Sequence, residues 1–282
     1  MLKPASIKNQ PHIRIASGNR RWGQDLRELW QYRELLLTFT YRDYRVRYAQ
    51  TALGLLWALL QPLLGLAVLY LLFQRVLGSE TAGINFFAYA LSGLTLWNLF
   101  NFTVGQAAPA LINAQRMLQK IYFPRIILPL SKCLVGFFEA LVAFAILIVV
   151  AWSETEFQWW GLLWFPLLAI GVSLPALGLG LWVSALSIRF RDLQQVIPFV
   201  LQLLFFLTPV AYAPEMLTQI LGPYASLAYL NPVTGWIELF RAGLFGLETH
   251  PATGLSLGVG LLLFLSGWWF FQKNESQMAD YL

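Results

Sequence analysis

Asn113–Arg125, read as NAQRMLQKIYFPR, is a polar island between two long apolar runs, and its placement decides how the chain is arranged. Arg116, Lys120 and Arg125 give it positive charge. Met117, Leu118, Ile121, Tyr122 and Phe123 recur at helical spacing, which predicts a short helix over about 113–123 with one apolar face. Pro124 lacks a backbone N–H, so the helix should end near Phe123. Taken alone, the segment reads either as a basic loop on a membrane surface or as a knob on which a partner protein pushes. The apolar runs around it narrow that choice.

Working outward, six apolar spans stand at about Ala52–Phe73, Phe86–Val104, Ile126–Trp152, Trp160–Ser187, Gln194–Tyr212 and Ala252–Phe271. Each is close to or above the ~20 residues that cross ~30 Å of hydrocarbon. The whole chain agrees: 58% of its 282 residues are hydrophobic and 12% charged, against about 25% charged in soluble domains. Aromatics reach 16%, twelve of them Trp, a residue that concentrates at membrane interfaces. Backbone polar groups in lipid must be satisfied internally, and spans of this length do so as helices. The expected fold is therefore an all-α integral membrane protein of six transmembrane helices.

The charges orient it. By this layout seventeen of the nineteen Lys and Arg fall on one side, all but Arg75 and Arg241. The other side carries Glu80, Glu154, Glu156, Glu215, Glu238 and Glu248. The positive-inside rule then puts both termini, and the Asn113–Arg125 island, in the cytoplasm. The net charge of +5 reads as membrane orientation rather than as a nucleic-acid footprint.

Outside the spans, residues 1–21 read as a flexible cytoplasmic tail and 273–282 as a second one. No signal peptide is expected, because no apolar stretch follows the first charges. Residues 22–50 alternate Trp and Leu with Arg and Glu as an amphipathic helix lying in the interface. The stretch between spans five and six is apolar but broken by Pro214, Gly222, Pro223, Pro232 and Gly235. Two short helices over about 214–247, re-entering or lying on the outer face, fit it. Glu238 and Arg241, three apart, can pair on one helix face.

Several chemistries are excluded or unsupported. No phosphate-cradling G-x-x-x-x-G-K-[ST] loop occurs, so ATP is not expected to bind here in that way. Leu91-Ser92-Gly93 matches part of a nucleotide-binding signature but lies inside a span. One cysteine, Cys133, rules out an internal disulfide. No H-E-x-x-H or carboxylate cluster suggests catalysis or a metal. Glu139, the single acid well inside a span, should be protonated, paired or facing water.

Polar side chains within the spans suggest a path. Gln195, Pro198, Gln202, Phe206 and Pro209 lie on one face of span five. Trp57 and Gln61 share a face of span one beside Pro62, and Asn98 and Asn101 follow Trp97 in span two. Amides that bond hydroxyls, beside rings that lie flat on sugar C–H faces, are what a glycan path requires. Interhelical bonding by the same amides is the alternative. Gly171, Gly178 and Gly180 suggest close helix packing in span four.

The stretch RDYRVRYAQTALGLLWALLQP, Arg42–Pro62, closely resembles the start of ABC-2 type permeases that export polysaccharide, the O-antigen, capsule and teichoic-acid class. The resemblance continues in KIYFPRIILPL, in Arg189-Phe190-Arg191-Asp192, and in Asn231-Pro232 with Arg241. It implies a half-transporter moving a lipid-linked polysaccharide across the cytoplasmic (inner) membrane. Two copies would form the channel as a homodimer, over two separate ATPase subunits that hold ATP and Mg; no cofactor would bind this chain. It further implies that Arg42, Arg47 and Tyr48 belong to an interface helix. Arg116, Lys120, Tyr122, Phe123 and Arg125 would lie in a coupling helix seated on the ATPase, and Glu238 and Arg241 in outer-face gate helices. The rival readings are an ABC-2 exporter of a drug or lipid, a membrane glycosyl- or acyltransferase, and an ion-coupled carrier. The last two lack, respectively, clustered acids or histidines and inverted repeats.

Overall fold

The computed structural model describes residues 28–49, 54, 56–78, 81, 83–152, 157–214, 216 and 222–281, with side chains left out at 223 and 276–281. The expected tail over 1–21, the first part of the amphipathic stretch and the 153–156 loop lie outside the described residues. All regular structure among the described residues is helical. In order these are α1 (Arg33–Tyr48), α2 (Leu56–Leu69, continuing as a π-helical stretch Tyr70–Val76), α3 (Phe86–Ala107), α4 (Ala110–Asn113) and α5 (Gln115–Leu118). Then come α6 (Ile127–Ala151), α7 (Phe165–Ser187, led in by a 3-10 turn Trp159–Trp164) and α8 (Leu193–Leu207). A 3-10 stretch Gly222–Leu230, α9 (Thr234–Phe245) and α10 (Thr253–Tyr281) complete the chain.

Among the described residues, four helices are long and apolar enough to cross a membrane: Leu56–Val76, Ile127–Ala151, Trp159–Ser187 and Thr253–Glu275. The two remaining expected spans differ for separate reasons. α3 has 22 residues, about 33 Å, so its length suffices. Its apolarity is diluted by Ser92, Thr95, Asn98, Asn101 and Gln106. Protein rather than lipid surrounds much of it, with Ala88, Tyr89, Leu91 and Phe100 fully buried. α8 has 15 residues, about 22 Å, and stops seven tenths of the way across. The reason is Pro209: the residue before a proline is driven out of the α region, and Thr208 is extended with ψ 128°. The span expected over Gln194–Tyr212 thus ends in a non-helical segment.

Two helix ends also differ from expectation. α10 runs on to Tyr281, so residues 273–281 are helix rather than tail. No Gly or Pro follows Gly267 to stop it. The island helix is earlier and broken: α4 and α5 are four residues each, parted at Ala114, and Ile121–Pro124 is irregular. Pro124 again disfavours helix in the residue before it, and the chain must turn there to enter α6.

Glycines set the closest approaches, as expected for α7. A methyl added at Gly178 would lie 2.4 Å from the Leu263 carbonyl oxygen of α10, and one at Gly267 would lie 2.2 Å from the carbonyl of Gly178. Gly171 receives the Trp236 ring and Gly180 the Ala107 methyl. Backbones packed this closely gain dispersion contacts that larger side chains would forbid. The main core surrounds α3. A second cluster joins Phe39, Leu111, Phe123, Ile127, Trp268 and Phe271 at the end where α1, the island and α10 meet.

Candidate functional site

A cleft of about 870 Å³ opens between α2, α3 and α8. From α2 it is lined by Ala58, Gln61, Pro62 and Gly65, and from α3 by Trp97, Asn98, Asn101, Phe102, Gly105 and Gln106. α8 contributes Pro198, Leu201, Gln202, Phe205 and Phe206, and Arg47 and Glu139 close one side. On each helix the lining residues recur at three and four, so one helical face is presented. Gln61, Asn98, Asn101, Gln106 and Gln202 have no hydrogen-bond partner among the described residues. Their donors and acceptors are therefore offered to the cleft rather than used to tie helices together. Trp97 is 4% exposed; its ring packs on Phe100 and Phe205, with centroids 5.7 and 5.4 Å apart.

Of the expected path residues, Gln61, Trp97, Asn98, Asn101, Gln202 and Phe206 meet in this cleft. Trp57 and Gln195 do not. Trp57 falls at the edge of the α2 face centred on Pro62 and is not among the lining residues; it is 40% exposed. Gln195 shares the α8 face but lies about a turn before Pro198, beyond the cleft's end. Phe102, Gln106 and Phe205 were missed by the sequence reading. The signal was available for two of them, since 98, 101, 102, 105 and 106 form one helical stripe.

One rim of the cleft is an electrostatic ladder between α1 and α6. Asp43 Oδ2 accepts from Lys132 Nζ at 2.6 Å, and Asp43 Oδ1 accepts from Arg42. One turn on, Arg47 Nε lies 2.7 Å from Glu139 Oε1, which also accepts from the Tyr48 hydroxyl at 3.0 Å. Residues 43 and 47 are one turn apart and 132 and 139 two turns apart, so both rungs fit facing helices. Burial, and then the Glu139 carboxylate, push the Tyr48 phenol up to about 12, so it stays a donor at neutral pH. Of the three states expected for Glu139, two are met together: it is paired with Arg47 and it lines the open cleft.

Glu238 and Arg241 do not pair, although their spacing allows it. Glu238 accepts from the Tyr229 hydroxyl and, at 2.6 Å, from the Thr253 hydroxyl. Arg241 donates to the carbonyls of Pro209 (2.7 Å), Val210 (2.5 Å) and Tyr89 (3.1 Å), and to Ser92 Oγ (3.2 Å). Its guanidinium lies 3.6 Å from the Tyr89 ring centroid. Spacing of three puts two residues on one side of a helix. Here each finds other partners around α9, whose face of Ile237, Phe240 and Leu244 is fully buried. Three of the carbonyls freed by the end of α8 find donors close by: Leu204 and Phe205 accept from Thr208, and Phe206 accepts from the Tyr212 hydroxyl. Arg241 takes those of Pro209 and Val210 in the non-helical segment that follows. The LSG triplet also has a local role: Ser92 accepts from Arg241, and a methyl on Gly93 would lie 2.7 Å from the guanidinium.

At the opposite end, the island exposes Arg116, Lys120, Ile121 and Tyr122 as a small knuckle. Phe123 turns inward, 3% exposed, with its ring edge-on to Phe39 at 5.5 Å. Arg125 is not free either: its backbone N–H faces the Glu275 carboxylate at 3.4 Å and its guanidinium donates to the Glu275 carbonyl. No group of three or more potential metal ligands occurs among the described residues.

The chain matches the ABC-2 type transporter family over residues 34–245. It is 30% identical to an O-antigen export system permease protein of Myxococcus xanthus, across 90% of this chain and 98% of that one. A protein of the same description from Klebsiella pneumoniae is 27% identical, across 88% and 95%. The polysialic acid transport protein of Escherichia coli is 24% identical, across 77% and 82%. With the family match running over most of its length, from the arginine-rich α1 through the buried Arg241 of α9, this chain belongs to the ABC-2 type transporter family.

Proposed function

We propose that this chain is the transmembrane subunit of an ATP-driven exporter that moves a lipid-linked polysaccharide, such as an O-antigen, out across the cytoplasmic membrane. The observation that supports it best is the cleft wall: amides with unused donors and acceptors interleaved with aromatic rings, in a chain whose relatives are named for saccharide polymers. An amide both donates and accepts, as a sugar hydroxyl does. The cleft opens on one side, and two copies facing each other would close it into a channel. α3 and α8 join the four apolar helices as spans two and five, with the segment from Thr208 completing the shorter one. The 3-10 stretch and α9 form a re-entrant pair entered from outside, within the gate region of about 214–247. Both termini lie in the cytoplasm. Residues 22–50 form the interface unit and 51–272 the permease unit.

ATP and Mg belong to two partner ATPase subunits. The island, from α4 to Phe123, is the contact they push on. Coupling needs an element that both partners bias. The knuckle of Arg116, Lys120 and Tyr122 meets the ATPase, while Phe123 and Arg125 anchor it to α1 and α10, so a push is shared by several helices. Removing the chain from its cell should abolish surface polysaccharide and leave lipid-linked glycan inside. Unchanged surface polysaccharide, with a lipid or drug retained instead, would favour the rival exporter. Tyr122→Ala should weaken copurification of the ATPase or uncouple hydrolysis from export. Normal copurification and export would return the island to a loop on the membrane.

A further inference from the structure

We infer that the path of this chain is built for an electrically neutral glycan and rejects a polyanionic one. The inference rests on the export role proposed above and concerns which polymer passes. Among the described residues lining the cleft, Arg47 and Glu139 alone carry charge. They stand 2.7 Å apart, so the wall has no net charge. Arg47 is further occupied by the Phe102 ring, 4.8 Å from its guanidinium carbon. The neighbouring cations are not part of the cleft lining. Arg42 and Lys132 both sit on Asp43, and Arg241 is enclosed by carbonyls in the dry interior.

A polymer with an acid on every residue would bring a row of charges into this space. Each would lose part of its water, and desolvated charge is costly unless a counter-charge replaces it. Neutral amides solvate hydroxyls well and carboxylates poorly. A second copy of the chain would add another wall with the same balance, so dimerisation would not supply the missing cations. Relatives in this family differ in cargo, one being named for polysialic acid, an anionic polymer. The discrimination must therefore lie in side chains, and the cleft wall is where the cargo would meet them.

The test reconstitutes the chain with its ATPase in vesicles and measures export of two probes on one lipid carrier, neutral mannan and polysialic acid. Mannan should be preferred by about tenfold or more, the scale set by one uncompensated charge. Gln202→Arg adds a positive charge to the wall and Glu139→Gln removes its negative one, so each shifts the net charge by +1 and should narrow that ratio; Gln202→Glu should widen it. Gln202 is an exposed wall residue whose side chain has no hydrogen-bond partner among the described residues, so its variants keep the test sound even where Glu139→Gln fails to fold. Equal export of both probes, or a ratio that ignores the added charges, would overturn the inference and leave the export role standing. Export of neither probe would overturn the export role, and this inference with it.

Discussion

Two arginines in this protein are held in opposite ways. Arg47 ends α1 at the rim of the cleft, with its side chain 31% exposed and a carboxylate at 2.7 Å. Arg241 sits inside α9, 2% exposed, with no ion pair among the described residues. Its ligands are three backbone carbonyls, one hydroxyl and a tyrosine face. A charge on a wet wall needs a counterion if the wall is to stay neutral. A charge in a dry interior is stabilised by dipoles that would otherwise be unsatisfied. Arginine suits the second task because its five N–H groups form a fixed planar fork. The broken end of α8 supplies the carbonyls that the fork fills.

The comparison is broken most directly at Arg241. Arg241→Ala leaves the Pro209 and Val210 carbonyls buried without donors, each costing about 1–3 kcal/mol. Together with the lost packing on Tyr89, the loss should exceed about 3 kcal/mol and lower the melting temperature by more than about 6 °C. Arg241→Lys keeps the charge but not the fork, and should recover only part of the difference. Thermal unfolding of the purified protein in detergent measures both. If Arg241→Lys matched the wild type, charge rather than carbonyl capture would be holding the α8 end.

The next effect is smaller. Arg47 and Glu139 face a wet cleft, where ion pairs are worth about 1 kcal/mol or less. Arg47→Ala and Glu139→Ala should each lower stability by about 1 kcal/mol. The exchange of Arg47→Glu with Glu139→Arg should recover about half of that. A double-mutant cycle by the same unfolding measurement tests it. Should Arg47→Ala cost as much as Arg241→Ala, the contrast between wet and dry arginines would be wrong.

The same contrast explains what sequence reasoning reached. Long apolar runs announce helices whose lipid-facing sides must be apolar, so α2, α6, α7 and α10 were legible. α3 was legible as a helix but is less apolar, because protein covers it. The amide stripe on α3 was visible in Asn98 and Asn101, since helical period alone places them together. That Glu139 needed a partner followed from its depth; that the partner is Arg47 did not, because the two are far apart in sequence. The partners of Arg241 are backbone oxygens, which every residue carries. No sequence signal marks which ones a helix end has set free, so spacing pointed instead to Glu238. Pro209 did mark that end, but its place on the amide face of span five masked the break.

The smallest effect on stability should accompany a large effect on transport, and it separates the cleft face of α2 and α8 from the outward one. Gln202 and Trp57 were both expected on the path, yet only Gln202 lines the cleft. Gln202 is exposed and its side chain has no hydrogen-bond partner among the described residues, so Gln202→Ala removes no hydrogen bond there. Its stability should stay within about 0.5 kcal/mol of the wild type, as for surface substitutions elsewhere. It does remove a donor and an acceptor from the wall on which the glycan would slide. Trp57→Ala changes an exposed ring that does not line the cleft. Glycan export assayed at matched protein levels should therefore fall several-fold for Gln202→Ala and by much less for Trp57→Ala, unless the second copy packs on that ring. In that case Trp57→Ala should weaken the dimer, read by size-exclusion chromatography in detergent, rather than the cleft. A drop in export for Trp57→Ala with the dimer intact, and none for Gln202→Ala, would move the path to the outer face of α2 and away from the cleft.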